Sequence, residues 1–367
     1  MATAKKLPSG SWRVQVYAGK DASGKLQYRS FTRPTKKEAE FDALQWQLHY
    51  KEVTRDTSAM TLAEAMEKYI QSKDGILSPS TIRGYDIIRR EHLRGLMEVR
   101  LNRLTQAMVQ EAINQEAKPY IDKHGKSRTP SPKSVRNVHG LLSAVLAEYH
   151  PDLKLNTTLP QKRVTEQTIL EPEEIGVLLR AVEGTEMEIP VLLAVWLCMR
   201  SSEITGLTWD CVDFQREIVT IRQAKVRNKD NQWIEKGTKT TSSTRTVNAP
   251  AYIMDRLATA KEAATTDYVV NIRGNCLYHR LKVILKKNGL PDIRFHDLRH
   301  TAASVMLLLN IPDKYAQARG GWATNHTMKT VYQHTMETKR SSVDDAIDGY
   351  FYNLIGEQAG AQGPHSV

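Results

Sequence analysis

The sequence predicts a mainly α-helical protein with small antiparallel β-sheets, an α+β fold class, and three observations support this prediction. Hydrophobic residues recur at helical spacing from residue 61 to about residue 149, and again in much of the chain after residue 171. Strict alternation of apolar and polar residues, which is typical of half-buried strands, is confined to residues 10–32 and to short segments between residues 217 and 248. Turn residues separate these alternating segments at hairpin distance, so the strands are expected to pair antiparallel.

Residues 10–32 are predicted to form a hairpin or a three-stranded sheet covered by one helix. Trp12, Val14 and Val16 alternate with polar residues, and a capping box at residues 35–38 begins the helix that follows. Basic side chains on or near the exposed side of such a sheet can contact a DNA groove, although any half-buried hairpin also needs a polar face. The candidate DNA-binding residues of this segment are Arg13, Lys20, Lys25, Arg29 and Arg33.

The segment from residue 61 to about residue 149 is predicted to contain four or five helices. A second capping box at residues 61–64 begins the first of them, and Ser80 to Leu96 has the pattern of one basic helix. Residues 118–132 are rich in Lys, Gly, Ser and Pro and are predicted to be a mobile loop before a helix that begins at Pro132. Solvated helix faces often carry basic residues too, but those expected to grip phosphates are Arg83, Arg89, Arg90, Lys133 and Arg136.

Residues 150–166 lack periodicity and contain two prolines, so they are predicted to be a linker. A helix should begin near Glu171, and a buried helix from Ile189 should be followed by a break and a second helical turn that ends at Leu207. Strands are expected at 217–225, 233–239 and 245–248, and helices at 275–288 and 296–309, with 315–335 helical in pieces. The predicted domains are residues 1–57, 58–160 and 161–355, followed by a disordered tail at 356–367.

Positive charge is concentrated in the first half of the chain, which has a formal net charge of +11 overall. Residues 1–57 contain 11 Lys and Arg against 6 Asp and Glu, residues 58–165 contain 17 against 11, and the remainder is balanced at 24 against 24. Excess positive charge attracts phosphate without regard to base sequence. DNA binding is therefore expected in the first 165 residues, although a soluble basic surface with no polyanion partner explains the charge as well.

The cysteines and the apolar segments exclude several other classes of protein. Cys198, Cys211 and Cys276 are odd in number and widely spaced, so neither a disulfide framework nor a zinc knuckle is indicated. The longest apolar stretch, Ile189 to Met199, is too short to span a bilayer, and the N-terminus has no signal-peptide pattern. We expect a soluble cytoplasmic protein.

The run from His296 to His300 is the sharpest local signal in the sequence. Positions i and i+3 share a helix face, so the imidazole of His296 and the guanidinium of Arg299 can converge on one anionic group. His296 and His300 also have the i, i+4 spacing of zinc ligands. We reject zinc because Asp297 stands where a metalloprotease helix has glutamate and no third ligand follows at a recognisable spacing. No metal or cofactor is predicted.

Five ordered matches over the last half of the chain resemble the tyrosine recombinase family, and the whole chain resembles a phage-type or mobile-element integrase. The matches are Arg200 with Glu203, Ile204 and Leu207; Lys239 before Arg245; His296-x-x-Arg299; Gly321-Trp322; and Tyr332-Gln333-His334. The resemblance implies a three-domain architecture with a helical catalytic domain at 161–355. Residues 1–57 resemble the arm-site-binding domain of such integrases, and residues 58–160 resemble their helical core-binding domain.

The resemblance also implies roles for these residues. Tyr332 would attack a DNA phosphorus to form a 3'-phosphotyrosyl link, and Lys239 would protonate the departing 5' oxygen. Arg200 and Arg299 would stabilise the charge of the transition state, with His296 beside the phosphate or assisting proton transfer. Glu203 would orient Arg200. The energy of the broken bond stays in the protein–DNA link, so no ATP is required, and the chain contains no Walker-type glycine loop.

Two departures from the family pattern leave alternatives near the nucleophile. Trp322 stands where many members have a second histidine, so packing and one indole N–H donor are the expected roles, with His326 as an alternative donor. The interval from Trp322 to Tyr332 is about one residue longer than usual. Tyr315 precedes the Gly-Trp pair, and Tyr350 and Tyr352 have the helical spacing of packing residues, so Tyr332 is preferred as the nucleophile.

The implied partners are double-stranded DNA at core and arm attachment sites and three further copies of the chain in a tetramer. Residues 341–355 are a candidate for contacts between copies. An excisionase and a host DNA-bending protein are further implied partners, in the nucleoid of a bacterial cell. A type IB topoisomerase and a DNA-binding regulator without catalysis are the alternative functions.

Overall fold

The computed structural model describes residues 3–20, 26–57, 59–122, 125–162, 167–237, 244–272, 274–332, 336, 339, 343, 344 and 346–351. Contacts divide the chain into two compact units, one of residues 1–164 with 227–232 and one of residues 165–226 with 233–367. Helices dominate both units and the strands pair antiparallel, so the fold class predicted from the sequence is confirmed. Within the described ranges, no helix has the length and apolar composition that crossing a bilayer requires.

The first unit begins with a small sheet and continues as a group of helices. Its strands are β1 (Lys5–Lys6), β2 (Trp12–Lys20), β3 (Leu26–Arg33), β4 (Tyr120–Ile121) and β5 (Ser127–Arg128). Its helices are α1 (Lys36–Thr57), α2 (Leu62–Lys73), α3 (Pro79–Glu91), α4 (Arg94–Met97), α5 (Gln106–Glu116) and α6 (Pro132–Tyr149), with a 3₁₀ turn at Leu101–Arg103. Strands β1, β2 and β3 form one sheet in that order, and β4 pairs with β5.

One face of the N-terminal sheet is covered by α1 and the other is open. Val14 and Val16 pack with Ala39 and Ala43 of α1 in a small core, as the alternation in β2 predicts. On the open face Tyr17 is paired with Tyr28, and their exposed rings meet edge to face at 5.9 Å between centroids. The sheet therefore presents an exposed polar and aromatic face.

Two of the basic residues expected on the open face lie on the helix side instead, which corrects the prediction. The strand register pairs Arg29 with Val16 and Arg33 with Trp12, and paired residues project from the same face of a sheet. The Arg29 guanidinium lies 5.6 Å from the Trp46 ring of α1, and Arg33 forms an ion pair with an aspartate of the same helix at 2.5 Å. The pairing register of β3 with β2 therefore places both residues on the helix side, where both side chains remain exposed to solvent.

The remaining candidates in this segment are Arg13, Lys20 and Lys25. Arg13 is exposed on the open face, where its strand partner is Thr32. The side chain of Lys20 and the whole of Lys25 lie outside the described residues.

Helices α2 to α6 enclose a second core, to which α6 contributes much of the apolar surface. Its buried residues include Leu62, Met66, Val109, Leu142 and Val145. Thr61 caps α2 through the predicted capping box, in which its hydroxyl accepts from the backbone of Glu64 and the Glu64 carboxylate accepts from Thr61. Four helices and one short helix are described here, in agreement with the predicted four or five.

The predicted single helix from Ser80 to Leu96 is two helices, because the chain turns sharply at Leu93. Leu93 has a φ of 53°, in the left-handed region that disfavours branched side chains. The Glu116 carboxylate accepts a hydrogen bond from the Leu93 backbone N–H at 2.8 Å and lies 2.6 Å from Nδ1 of His92. A carboxylate from α5 thus holds the break, and nothing within the 80–96 segment indicates it.

The segment predicted as a mobile loop between residues 118 and 132 contains the hairpin of β4 and β5. Asp122 organises its turn, since its carboxylate accepts from the Lys126 backbone at 3.0 Å and from the Arg128 side chain at 2.9 Å. An aspartate that bonds the backbone a few residues ahead is a common turn device. The described part of the predicted mobile loop thus contains a short hairpin, which its composition did not indicate.

Residues 150–162 follow the surface of the helical group rather than crossing open solvent. Leu153, Leu155 and Leu159 pack against its core. The Thr158 backbone donates to Gln110 at 2.8 Å, and Arg136 donates to the Pro160 carbonyl at 2.9 Å. The predicted linker is thus anchored to the first unit up to residue 160.

The second unit contains the remaining elements. Its helices are α7 (Pro172–Val182), α8 (Glu188–Val195), α9 (Ser201–Gly206), α10 (Ala251–Glu262), α11 (Gly274–Lys287), α12 (Asp297–Leu308), α13 (Asp313–Gly320) and α14 (Asn325–Thr327). Its strands are β6 (Val212–Asp213), β7 (Ile218–Ile221), β8 (Gln223–Arg227), β9 (Trp233–Gly237) and β10 (Arg245–Asn248), with a 3₁₀ turn at Trp209–Cys211. The strand predicted at 217–225 is divided into β7 and β8, which belong to different sheets.

The core of the second unit is built by helices around the sheet of order β10-β7-β6. Leu178, Val191, Val219, Leu257 and Leu298 are among its fully buried residues. Strands β8 and β9 form a separate hairpin, of which residues 227–232 are assigned to the first unit. The ends of α8 and α13 lie beside the starts of α9 and α12, as the contacts below describe.

A π-helical turn at Met328–Tyr332 follows α14 directly. A π-turn holds one more residue than the equivalent α-turn and occurs mostly at functional sites. The turn packs against α12, and Met328 is fully buried. The long interval between Trp322 and Tyr332 noted in the sequence is thus accommodated locally, in the turn that ends at Tyr332.

Candidate active site

Arg200 stands at the first position before α9, where the chain leaves a tight turn after α8. Cys198 in that turn has a φ of 55°, and its buried backbone directs a carbonyl into the interior. The Arg200 guanidinium donates to Glu203 at 2.6 Å and to the Gly321 carbonyl at 3.2 Å, and its side chain is 32% exposed. Both terminal nitrogens of the Arg200 guanidinium are therefore held by hydrogen bonds, while one side of the group faces solvent.

Glu203 is a buried carboxylate shared by two arginines. Besides Arg200, it accepts from the Arg245 guanidinium at 2.8 and 3.2 Å, and its side chain is almost completely covered. Burial alone would raise the pKa of Glu203, but the hydrogen bonds and charge of Arg245 and the charge of Arg200 outweigh it and lower the pKa to about 2. Glu203 is thus a permanent negative charge that orients two cations.

Acid should weaken the fold through Glu203. Its pKa is about 2 in the folded protein against an ordinary value of 4.5, so its stabilisation is complete above pH 4.5 and is lost as the pH falls toward 2. A shift of this size corresponds to about 3 kcal/mol. We expect urea unfolding to give a gap in unfolding free energy between wild type and Glu203→Gln that shrinks by most of this amount, about 2 kcal/mol, between pH 5 and pH 2.5. Glu262→Gln, at an exposed position of α10, is the matched control, and a gap independent of pH would contradict the assignment.

Arg299 is completely buried, with an exposed fraction of 0%, which is rare for a guanidinium. It donates to the carbonyls of Cys198 and, at 2.6 Å, Gly320, and its planar group lies 4.6 Å from the centre of the Trp322 ring. Burial, followed by the nearby charge of Arg200, lowers the pKa of Arg299. A guanidinium nevertheless stays protonated in proteins. Arg299 is thus a fixed, poorly solvated positive charge.

His296 occupies the position before the first residue of α12, one turn before Arg299. Burial, and then the positive charge of Arg299, lower the pKa of His296, with a smaller contribution from Arg200. The ring is therefore neutral at pH 7 and one of its nitrogens can accept a proton. The ring of His300 lies 5.6 Å away and edge-on. Among the described residues, no group of three or more His, Cys, Asp or Glu side chains is arranged to hold a metal ion.

Trp322 is buried beneath Arg299 in a small cluster with Cys198, Met306 and Met328. The two glycines before Trp322, Gly320 and Gly321, allow its ring to pack this closely. A Cβ at Gly320 would lie 2.2 Å from the Trp322 ring. Gly321 ends α13 with a φ of 63°, and a Cβ there would lie 3.0 Å from the Arg245 side chain. The two glycines therefore let α13 present two successive carbonyls to Arg299 and Arg200.

Arg245 is the residue of this cluster that sequence reasoning did not identify as functional. It is buried in β10, and besides Glu203 it donates to the carbonyls of Arg319 at 3.0 Å and Cys198 at 3.4 Å. One signal in the sequence points to it, since alternation in β10 places Arg245 on the same inward face as Val247. A buried arginine in a strand requires partners of opposite charge, and Glu203 is one.

The three arginines and Glu203 carry three positive charges against one negative charge in a largely buried region. Such an excess is costly unless an anion is bound, because burial removes the water that would otherwise solvate the cations. Arg200 is the most exposed of the three arginines, so a ligand from solvent can reach the positive charge at this residue. With the neutral imidazole of His296 nearby, the arrangement is suited to a phosphodiester that reacts beside a proton acceptor.

The remaining predicted residues of the catalytic segment are only partly described. The backbone of Tyr332 ends the π-helical turn, while its side chain and the whole of Lys239 lie outside the described residues. His326 is exposed in α14, Tyr315 is exposed in α13 and Tyr350 is exposed near the end of the described chain. Tyr352 and the predicted tail from residue 356 also lie outside the described residues.

The basic residues proposed for the helical segment are dispersed over α3 and α6. Arg89 and Arg90 both pair with Asp86 on α3, at 3.3 and 2.9 Å, and Arg83 on the same helix is half-buried. Lys133 is exposed in the first turn of α6, whereas Arg136 is half-buried and bonded to the Pro160 carbonyl. Of these five residues, Arg90 and Lys133 are thus the most exposed to solvent.

Comparison with known proteins associates the site with one family. Residues 168–339 match the model of the phage integrase family. A tyrosine recombinase XerC-like protein of Caldanaerobacter subterraneus subsp. tengcongensis is 22% identical over 93% of this chain and 96% of its own length. The fold is similar to that of the Tn1549 transposon integrase in complex with transposon right end DNA, with a TM-score of 0.61 and 16% identity over 78% of this chain and 99% of that one. It is also similar to a lambda integrase tetramer bound to a Holliday junction, with a TM-score of 0.55 and 17% identity over 90% and 95% of the two chains.

Proposed function

We infer from the match over residues 168–339 that this chain belongs to the phage integrase family and is a tyrosine-type site-specific DNA recombinase. We propose that it integrates and excises a mobile element or prophage by breaking and rejoining DNA strands. The observation that carries the proposal is the buried excess of positive charge at Arg200, Arg245 and Arg299, which is matched to a phosphodiester.

In the proposed reaction the phosphate of one DNA strand lies against the open side of Arg200. Arg200 and Arg299 stabilise the charge that develops on the nonbridging oxygens, and their forks are already fixed by Glu203 and by backbone carbonyls. Because these partners hold the guanidinium groups before DNA binds, little reorganisation is needed in the transition state. Glu203 and Arg245 act through this support and do not react.

The bonds and protons of the cleavage step balance without a cofactor. The Tyr332 phenol gives up its proton, and its oxygen forms a bond to phosphorus while the bond from phosphorus to the 5' oxygen breaks. His296, which is neutral at pH 7, is the proposed acceptor of the phenol proton, and Lys239 donates a proton to the departing 5' oxygen. Attack of another strand's 5' hydroxyl on the phosphotyrosine reverses these steps and rejoins the DNA.

Trp322 is proposed to act mainly through packing. Its buried ring supports the Arg299 guanidinium from below, and its approach requires the glycine at position 320. A hydrogen bond from its indole N–H to a phosphate oxygen is a second proposed role, for which exposed His326 is the alternative donor.

The regions before residue 161 are proposed to hold the DNA. We assign arm-site binding to residues 1–57 and core-site binding to residues 58–160, with catalysis in residues 161–355. On the N-terminal sheet, the open face with Arg13, Tyr17 and Tyr28 is a better candidate for the DNA groove than the face that carries Arg29 and Arg33.

The active assembly is proposed to be a homotetramer on DNA in the bacterial nucleoid. The lambda integrase of similar fold was solved as a tetramer on a Holliday junction, which supports this proposal. Val343, Ile347, Tyr350 and Phe351 are exposed on the last described helical segment, and we propose that they contact a neighbouring copy. An excisionase and a host DNA-bending protein are proposed as accessory partners.

The two alternative functions are not favoured. A type IB topoisomerase would share the tyrosine chemistry, and a regulator without catalysis would share the basic N-terminal half. The relatives and the DNA-bound structures of similar fold are recombinases and integrases. A regulator would also have no use for the buried, costly arrangement of Glu203 and the three arginines.

The covalent intermediate provides the test of this function. The probe is a duplex selected from host genomic fragments by binding to the protein, with a nick close to the cleaved phosphate so that the short 5'-hydroxyl fragment diffuses away. We expect a protein–DNA adduct that survives denaturation, forms without ATP and maps by mass spectrometry to the peptide that contains Tyr332. Absence of an adduct, or attachment through another residue, would contradict the proposed reaction.

A further inference from the structure

The predicted catalytic residue Lys239 comes directly after the hairpin of β8 and β9 in the sequence. Strand β9 ends at Gly237, two residues before Lys239. The hairpin shares no sheet with β6, β7 and β10, so its orientation depends on other contacts. A two-stranded hairpin is marginally stable by itself. Contacts to other parts of the chain must therefore determine where its strands lie.

Strand β8 lies directly on the end of α9, the helix that begins beside Arg200. A Cβ at Gly206 would be 2.8 Å from the Lys225 backbone nitrogen, so only glycine permits this approach. The Gln223 side-chain amide also donates to the Gly206 carbonyl at 2.8 Å. These contacts locate β8 relative to α9, but they do not involve β9.

Tyr268 joins both strands of the hairpin to the same part of the domain. The Lys225 ammonium of β8 lies 3.7 Å from the centre of the Tyr268 ring, and the Tyr268 hydroxyl donates to the Glu235 carboxylate of β9. The Glu235 hydrogen bond and then burial raise the pKa of the phenol, so it remains a donor at neutral pH. One aromatic side chain thus contacts one charged residue on each strand.

The backbone around Tyr268 is itself fixed to the chain that leaves α9. Val269 donates to the Leu207 carbonyl at 2.9 Å, Trp209 donates to the Asp267 carbonyl at 2.9 Å, and Tyr268 forms a bridge with Thr208. Helix α9, which begins beside Arg200 and contains Glu203, is therefore joined directly at its far end to the backbone around Tyr268. Tyr268 belongs to neither the arginine cluster nor the predicted catalytic set.

We propose that Tyr268 is a positioning residue that holds the β8–β9 hairpin so that Lys239 can protonate the departing 5' oxygen. This inference rests on the proposed function, and Lys239 itself lies outside the described residues. Loss of Tyr268 should therefore impair protonation of the leaving group while leaving binding and nucleophilic attack intact. A residue needed only for folding would impair all three.

The test compares two scissile phosphates in the nicked duplex, one natural and one with sulfur in place of the 5' bridging oxygen. A thiolate departs without a proton because a thiol is far more acidic than an alcohol. We expect Tyr268→Ala to cleave the natural phosphate about 10- to 100-fold more slowly than wild type in single turnover, and the sulfur substrate within about 3-fold of wild type. Lys239→Ala should show the same rescue, and Tyr268→Phe, which loses only the bond to Glu235, should be intermediate.

Controls separate this inference from the proposed function. Tyr278→Ala, at an exposed tyrosine of α11, should cleave both substrates like wild type. Natural cleavage by Tyr268→Ala at the wild-type rate, or equal slowing on both substrates, would overturn the inference. If Tyr268→Ala does not fold, Tyr268→Phe and Glu235→Gln carry the comparison, with the same outcomes. Failure of wild type to form any adduct would instead refute the proposed reaction.

Discussion

Replacing Tyr332 with phenylalanine is expected to abolish the covalent protein–DNA adduct while leaving DNA affinity within about twofold of wild type. Phenylalanine keeps the ring but lacks the oxygen that forms the bond to phosphorus, so no covalent link can form through this residue. The loss of cleavage should be at least about 10⁴-fold, which is the scale seen when a nucleophile is removed. Single-turnover cleavage of the nicked duplex and a gel-shift titration measure the two quantities.

Two other tyrosines provide matched controls for this substitution. Tyr315→Phe and Tyr350→Phe also remove one hydroxyl each, from exposed side chains of the same unit. Both variants should form the adduct at rates close to wild type. An adduct that persists in Tyr332→Phe and disappears in Tyr315→Phe or Tyr350→Phe would transfer the role of nucleophile to that residue.

Periodicity in the sequence was sufficient to predict most elements of the fold. Alternation in β2 correctly placed Val14 and Val16 in a core, and the capping box at Thr61 was found as predicted. Failures occurred where a distant residue decides the local structure. Glu116 fixes the break at Leu93, and the pairing of Arg29 with Val16 places Arg29 on the covered face of the sheet. Such contacts join residues far apart in sequence, so no local pattern encodes them.

The candidate site shows the same division between local and distant determinants. The i, i+3 spacing of His296 and Arg299 indicated a shared anion, and the structure has both at the start of α12. What the spacing could not indicate is that Arg299 is held by backbone carbonyls, from a turn at Cys198 and from the end of α13. Carbonyl acceptors carry no side-chain signature. The sequence signal that comes closest is Gly320, because the absence of a Cβ there leaves room for the Trp322 ring.

Replacing Arg299 with lysine should reduce cleavage by about 10³-fold although the positive charge is retained. The guanidinium makes two directed hydrogen bonds, to Cys198 and Gly320, and stacks on Trp322, whereas an ammonium is a point charge that cannot form this fork. A lysine here would also leave one buried carbonyl without its donor, at a cost of about 1–3 kcal/mol in unfolding free energy. Single-turnover cleavage and urea unfolding measure the two effects separately.

Arg256→Lys is the matched control for Arg299→Lys, because Arg256 also has two partners: it donates to Glu183 at 3.0 Å and forms an ion pair with Glu188 at 3.1 Å. Its side chain is partly exposed on α10, so its replacement should leave both stability and cleavage close to wild type. If Arg299→Lys cleaved like wild type, the directed fork would not matter and charge alone would explain the site. If it lost DNA binding instead, Arg299 would serve affinity rather than the transition state. Reduced cleavage with intact binding is the outcome that the fixed, buried guanidinium requires.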